Sequence, residues 1–190
     1  MNHAPTASPH TRLDTPKIAT LVILGSETFF FGTLITAYLF MRGTQSVWPL
    51  AGASMSRIVI PLANTLLLLA SAVSVSLGLR AIRRNQKAEL ARWVSLSLGM
   101  GLVFVAGQVY EYTSNGMLPS DQGFGGVFFT LMGFHALHLI AGVIALALVL
   151  MRTRLGDFTA RKHTAVEVSA WFWYYVVGVW LVLFAVLYLI

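Results

Sequence analysis

The 190-residue sequence contains no cysteine and few charged residues. Without cysteine the chain cannot form a disulfide bond, a thiolate metal site, an iron–sulfur cluster or a cysteine nucleophile. Only 11% of its residues are charged, whereas charged residues make up about a quarter of a typical soluble domain. The charges cluster between long apolar stretches, as expected when the bilayer is the solvent. The composition therefore excludes an ordinary soluble domain and predicts an integral membrane protein.

The apolar stretches are long enough for an all-α bundle of five transmembrane helices. We expect these helices at residues 17–41, 58–79, 93–112, 124–151 and 168–190. One membrane domain then covers residues 17–190 and leaves no room for a soluble catalytic domain. Residues 1–16 are polar, so we expect a disordered tail there. Small residues predict close contacts between helices, at the serines of the second span and at Gly99, Gly101, Gly107, Gly142 and Gly178.

Basic residues are distributed unevenly between the two ends of the predicted bundle. With five spans, eleven of the 13 Lys and Arg residues fall on one side, and only Arg42 and Arg57 fall on the other. Because cytoplasmic loops carry the excess of Lys and Arg, we expect the N-terminus in the cytoplasm and the C-terminus outside. The net charge of +6 thus reflects topology and does not indicate binding to nucleic acid.

Glu27 is an ionisable residue inside the first predicted span. It lies about 15 Å beyond Lys17 at 1.5 Å per residue, close to the bilayer midplane. An ionised carboxylate there is costly unless it is paired or hydrogen-bonded. Two interpretations stay open: a hydrogen-bonded packing residue, or a proton or regulatory site that faces the bundle interior. The second is favoured, because intramembrane carboxylates are functional by default.

His135 and His138 are three residues apart in the fourth predicted span and therefore share a helix face. Such a pair could ligate a metal or an axial haem. However, a structural metal site usually has four ligands, and the remaining histidines lie in the tail and in a loop. We therefore expect no metal site, and expect instead hydrogen-bonded helix packing or contact with a neighbouring subunit.

Gln108 and Glu111 lie on one face near the end of the third predicted span, and Asn64 is a polar residue on a face of the second. Gln108 and Glu111 are either a solvated helix end anchored by tyrosines or part of a hydrogen-bond network between helices. Both interpretations stay open at this point.

A basic loop followed by aromatic residues precedes the last predicted span. Glu167 is suited to a helix N-terminus, which favours negative charge. The neighbouring basic side chains could instead bind a lipid phosphate, and the aromatics could form an interfacial belt. The candidates for contact with lipid headgroups are Arg161, Lys162, His163, Glu167, Trp171 and Trp173.

Five motifs, taken together and in order, resemble subunit III of the haem–copper respiratory oxidases. They are residues 25–30 (GSETFF), 61–68 (PLANTLLL), 108–112 (QVYEY), 128–142 (FFTLMGFHALHLIAG) and 167–180 (EVSAWFWYYVVGVW). Each motif alone is weak, but their order and spacing cover nearly the whole chain beyond residue 16. The resemblance is to a short, five-helix form of this family.

The resemblance implies a non-catalytic subunit of a cytochrome c oxidase in the bacterial cytoplasmic membrane. Such a subunit binds no haem or copper, which belong to its partner subunits I and II. It packs on subunit I, supports proton uptake and turnover stability, and binds phospholipid that has been linked to oxygen access. By the same resemblance, Glu27 corresponds to the family's intramembrane carboxylate, known for its reactivity with carbodiimide.

Two departures from the family pattern limit what the resemblance carries over. Tyr174 and Val177 stand where the family usually has His and Asp, so any role of that polar pair does not transfer. The chain matches only the last five helices of the seven-helix form. Our hypothesis is that an extended subunit I supplies the other two.

Other functions remain open at the level of sequence. The same motifs suit a quinol oxidase subunit, or an accessory protein of nitric oxide reductase. A small proton-coupled carrier could use Glu27, although no inverted repeat is visible. A membrane enzyme could use Glu27, His135 and His138 around a metal, and metal analysis would distinguish it from the oxidase subunit.

Overall fold

The computed structural model describes residues 15–44, 56–114 and 124–190, and within these ranges it contains helices and no strand. The helices are α1 (Thr15–Thr44), α2 (Ser56–Arg83), α3 (Lys87–Ser114), α4 (Phe124–Arg154) and α5 (Thr164–Phe184), the last continued by a π-helical turn (Ala185–Leu189). All five are long and apolar enough to cross a membrane. The predicted all-α membrane fold is confirmed.

The helices extend beyond the predicted spans because polar residues continue them at their ends. α3 begins at Lys87 instead of residue 93, and its first turn contains Glu89, which is favourable near a helix N-terminus. α1 begins at Thr15, so residues 15 and 16 belong to a helix and not to the predicted tail. Residues 1–14, where the rest of that tail was predicted, lie outside the described residues.

Two short turns join neighbouring helices at one end of the bundle, and each contains a residue with positive φ. Asn85 (φ 59°) follows α2, and Gly156 (φ 83°) follows α4. In both turns the N–H groups after the helix donate to carbonyls of its last turn, which satisfies otherwise unpaired acceptors. The side-chain oxygen of Asn85 accepts from the N–H of Ala160 at 3.2 Å, and Lys87 Nζ donates to the Gly156 carbonyl at 3.0 Å. The two turns are therefore held together.

Trp173 of α5 lies at the centre of the bundle and is fully buried. A Cβ atom at Gly101 of α3 or at Gly142 of α4 would lie 2.8 Å from the indole ring. The indole Nε1 donates to Ser71 Oγ of α2 at 3.0 Å. One side chain thus contacts three helices, because small residues on each of them leave room for it.

The predicted close contacts between helices are found at most of the small residues. Ser74 Oγ of α2 donates to the Trp93 carbonyl of α3 at 2.9 Å. A Cβ at Gly107 of α3 would lie 2.6 Å from Asn64 Oδ1 of α2. The exceptions, with no described atom within 4 Å of an added Cβ, are Gly99 and Gly178.

α1 packs mainly on α4 and α5 and keeps much of its apolar surface exposed. Its buried residues are Phe31 and Tyr38, whereas Phe29 is 82% exposed and Phe40 is 71% exposed. Exposed apolar surface of this extent contacts lipid or another protein chain. α1 is therefore the peripheral helix of the bundle.

Candidate functional site

Glu27 of α1 is paired with His138 of α4. Glu27 Oε2 lies 3.0 Å from His138 Nε2, and His138 Nδ1 lies 2.8 Å from the carbonyl oxygen of Phe134, one turn earlier on α4. Glu27 is about 18 Å along α1 from Thr15, which places the pair deep in the membrane-spanning part. Both ring nitrogens of His138 are therefore engaged, one with its own helix and one with α1.

The hydrogen bonds of this pair require one shared proton. A carbonyl oxygen can only accept, so His138 Nδ1 is the N–H donor to Phe134. Nε2 and the carboxylate oxygen would then both be acceptors, and a 3.0 Å contact between them needs a proton. The pair is either a carboxylate with an imidazolium, or a carboxylic acid with a neutral imidazole. Both states have zero net charge, which reduces the cost of placing these groups in the membrane.

Aromatic side chains surround the pair without closing it off. The Phe31 ring meets His138 edge-on with centroids 5.1 Å apart, and the Phe172 ring stacks at 6.4 Å. The side chains of Glu27 and His138 keep 29% and 18% of their surface exposed. Beside the pair, an apolar groove of about 290 Å³ runs between α1 and α5 from Thr28 to Val182. The pair can therefore be reached from the surface of the bundle.

His135 shares a helix face with His138 but points into the bundle. It is 2% exposed, and its ring stacks on Trp180 of α5 with centroids 5.4 Å apart. Neither ring nitrogen has a hydrogen-bond partner among the described residues. The expected hydrogen-bonded packing is thus found at His138 and not at His135. The described residues contain no group of three or more His, Cys, Asp or Glu side chains that could hold a metal.

Gln108 and Glu111 of α3 are buried, each with 5% exposure. Glu111 Oε1 accepts from the Tyr188 hydroxyl at 2.8 Å, which links α3 to the end of α5. The second oxygen of Glu111, both amide atoms of Gln108 and the amide nitrogen of Asn64 have no partner in the described part of the chain. This arrangement favours an interior polar network over a solvated helix end.

Glu167 is the centre of an ionic cluster near the start of α5. Its carboxylate lies 2.6 Å from Lys17 of α1, 3.1 Å from Arg83 of α2 and 3.4 Å from His163. The cluster joins the first turn of α1, the last turn of α2 and the first turn of α5. Glu167 and His163 were predicted to contact lipid headgroups. In the structure they form ion pairs within the chain, which the sequence did not predict.

The remaining candidates for headgroup contact differ in exposure. Arg161 and Lys162 are exposed on the turn before α5, and Trp171 is half-buried. Trp173 is fully buried in the bundle core and donates to Ser71, so its indole cannot reach a lipid headgroup. Its prediction as a headgroup contact is corrected, because its neighbours on α3 and α4 are glycines that admit it to the core.

Tyr174 and Val177, the two departures from the family pattern, have defined surroundings. The Tyr174 hydroxyl lies 2.8 Å from Ser76 Oγ, a hydrogen bond between α5 and α2, and Val177 is buried among apolar residues. Sequence reasoning did not identify this bond, nor the pairing of Glu27 with His138. The sequence did hold one signal for the pairing of Glu27 with His138. Both side chains are ionisable and lie deep in apolar spans, where each needs a partner.

The five apolar helices and the buried polar groups between them define a multi-pass membrane protein. The model of the family described as cytochrome c oxidase subunit III matches residues 9–190. The chain therefore belongs to the cytochrome c oxidase subunit III family, and the resemblance inferred from the five motifs is confirmed. By its name, subunit III is one subunit of an oxidase complex.

Similar proteins cover nearly the whole chain. The chain is 35% identical over 182 residues to cytochrome c oxidase subunit 3 of Thermostichus vulcanus, covering 95% of this chain and 90% of that protein. It is 34% identical over 182 residues to the protein of the same name from Synechocystis sp., covering 95% and 78%. It is 35% identical over 179 residues to probable cytochrome c oxidase subunit 3 of Nocardia farcinica, covering 92% and 87%.

Proposed function

We propose that the chain is the non-catalytic third subunit of a cytochrome c oxidase in a bacterial cytoplasmic membrane. The observation that carries this proposal is family membership over residues 9–190. Subunits I and II hold the haem and copper, and the chain packs directly on subunit I. Its contribution is to support proton uptake, stability during turnover and access of lipid and oxygen to the complex.

Within this role, the pair of Glu27 and His138 holds a proton inside the membrane. In both neutral states one proton lies between His138 Nε2 and the Glu27 carboxyl group, so it can move between the two side chains without a change in net charge. Partial exposure leaves it open to a neighbouring subunit or to lipid. We therefore assign to this pair the proton-related part of the subunit's function.

The basic end of the bundle faces the cytoplasm in this proposal. The ionic cluster around Glu167 joins α1, α2 and α5 at this end, where the turns at Asn85 and Gly156 are also held together. At the other end, Arg42 donates to the carbonyl of Ile190. Phospholipid binds at the cytoplasmic end, where Arg161 and Lys162 are exposed and can pair with phosphate.

Purification from native membranes in mild detergent tests the assignment to an oxidase. We expect the chain to co-purify with a haem-containing subunit and a copper-containing subunit, detected by a haem spectrum and mass spectrometry. Activity with reduced cytochrome c, compared with activity with quinol, then identifies the electron donor. Recovery of the chain alone, without haem or partners, would contradict the proposal and favour a proton-coupled carrier built on Glu27.

The role of the pair is tested with Glu27→Gln in the assembled complex. We expect the glutamine variant to assemble with normal haem content but to lose activity several-fold faster during turnover, because glutamine cannot exchange a proton with His138. The matched control is Glu89→Gln, since Glu89 is a half-exposed carboxylate whose ion pair within the described part of the chain is with Arg92 on its own helix. Oxygen consumption and proton release are followed together. Equal inactivation of the two variants would exclude a proton-related role of Glu27.

A further inference from the structure

Four buried polar residues lie in one half of the bundle, between α2, α3, α4 and α5. We name them the interior polar cluster: Asn64, Gln108, Glu111 and His135. Six of their side-chain atoms have no hydrogen-bond partner in the described ranges: Asn64 Nδ2, Gln108 Oε1, Gln108 Nε2, Glu111 Oε2, His135 Nδ1 and His135 Nε2. Each of the four residues is at most 7% exposed, so these atoms do not face bulk solvent or a partner subunit.

Two members of the cluster, His135 and Glu111, contact α5 and the π-helical turn that continues it. His135 stacks on Trp180, and Trp180 Nε1 donates to Thr65 Oγ1 at 2.9 Å, next to Asn64 in the sequence. Eight residues further along the chain, Tyr188 donates to Glu111. The cluster therefore runs about 12 Å along the axis of the bundle, at 1.5 Å per residue.

Two members of the interior polar cluster, Gln108 and Glu111, lie on α3. The Phe104 ring meets Trp180 edge-on with centroids 4.8 Å apart, and Gln108 follows Phe104 by one helical turn. Glu111 follows Gln108 by three residues on the same face. The Asn64 amide packs against the backbone of Gly107, the residue before Gln108. The Asn64 side chain of α2 thus lies beside the stretch of α3 backbone that carries Gln108.

We propose that the interior polar cluster binds a short chain of water molecules that runs from Glu111 to His135. Buried polar groups of proteins are almost always hydrogen-bonded, and an unmade bond is more costly in a membrane, where no bulk water can replace it. A buried water makes about three hydrogen bonds, so about two or more water molecules satisfy six atoms. The cluster offers both donors and acceptors, as a bridging water requires.

The chain of waters ends beside the pair of Glu27 and His138. The Phe31 ring contacts both imidazoles, with centroids 6.4 Å from His135 and 5.1 Å from His138. Phe31 is 2% exposed and has no polar atom in its side chain, so it separates the hydrated cluster from the proton-holding pair. The waters lie in the interior of the chain, so their presence does not depend on the identity of its partner subunits.

X-ray footprinting of the purified full-length protein, in its complex if it forms one, tests for these waters. Ionisation of a bound water produces a hydroxyl radical that modifies the side chain beside it, and mass spectrometry locates the modification. The matched control is Trp173, which lies on the same helix as Trp180, is equally buried and donates to Ser71. We expect Trp180 to be modified several-fold faster than Trp173, with uptake of ¹⁸O from labelled water.

Two results would overturn the proposal. Equal, slow modification of Trp180 and Trp173 would mean that the cluster is dry and that its side chains bond to one another directly. The second test is His135→Phe, which keeps an aromatic ring stacked on Trp180 but removes two of the unpartnered nitrogens. We expect this variant to lower the modification of Trp180 towards the rate of Trp173. An unchanged rate in a folded variant would place the water elsewhere.

Discussion

At the scale of single residues, the pair of Glu27 and His138 shows how an ionisable group is accommodated inside a membrane. Phe134 fixes the donor position on the imidazole, so that the remaining nitrogen faces the carboxyl group and shares its proton. The energetic benefit lies in neutrality, because neither side chain must carry an unpaired charge in hydrocarbon. Because each side chain neutralises the other, removal of one leaves the other unpaired in the membrane.

A double-mutant cycle at this pair measures that dependence. We expect Glu27→Leu and His138→Leu each to destabilise the protein, and the double variant to cost about 1 kcal/mol less than the sum of the two. The reason is that each single change leaves one polar group unpaired, whereas the double change leaves none. The measurement is the free energy of unfolding in detergent. Additive effects of the two changes would show that the 3.0 Å contact contributes no coupling.

At the scale of helices, the bundle is organised around the fit of a large aromatic ring against small residues. Trp173 reaches the centre because α3 and α4 present glycines where its ring passes. Hydrophobic drive is weak between helices in lipid, so close packing and interhelical hydrogen bonds must hold the helices together. The hydrogen bond from Trp173 to Ser71 orients the indole ring and gives its buried N–H group an acceptor.

Two glycine-to-alanine changes on α4 distinguish the effect of packing on stability from the effect of helix propensity. A Cβ at residue 142 would lie 2.8 Å from Trp173, whereas a Cβ at residue 133 meets no described atom within 4 Å. We expect Gly142→Ala to destabilise the protein by about 1–3 kcal/mol, the usual cost of overpacking. Gly133→Ala should leave the Tm unchanged or slightly higher, since alanine favours a helix. Equal Tm values for the two variants would contradict the conclusion that Gly142 is needed to make room for the Trp173 ring.

At the scale of the whole molecule, α1 is attached differently from the other helices. α2 to α5 share the buried core around Trp173 and Trp180, whereas α1 buries only Phe31 and Tyr38. Polar links hold α1 at three levels: Lys17 to Glu167, Glu27 to His138, and Arg42 to Ile190. The exposed apolar face of α1 therefore makes it the helix most suited to contact another subunit.

The orientation of the molecule in the membrane can be tested directly because the chain has no cysteine. Single changes Gln86→Cys and Gly43→Cys place a thiol at the basic end and at the opposite end of the bundle. We expect a membrane-impermeant maleimide to label Gly43→Cys on intact cells, and to label Gln86→Cys only after the membrane is permeabilised. The reverse pattern would invert the proposed topology.

The sequence by itself determined the number of helices, their membrane character and the family. Apolar length and the scarcity of charged residues within the spans predict the five helices without reference to their neighbours, because the bilayer sets the required length. It also identified Glu27, His138 and the buried polar residues as exceptional, since polar groups are costly in such spans. These properties are local, so they can be derived along the chain.

The tertiary structure decided which side chains meet. Nothing in the spacing along the chain shows that Glu27 faces His138 across 111 positions, or that Trp173 enters the core while Trp171 stays half-buried. These pairings depend on the rotation and axial position of each helix, which are set by how small and large residues fit between helices. For the same reason, only the assembled bundle could show that His135 is enclosed with no hydrogen-bond partner among the described residues, while His138, one turn away, has two.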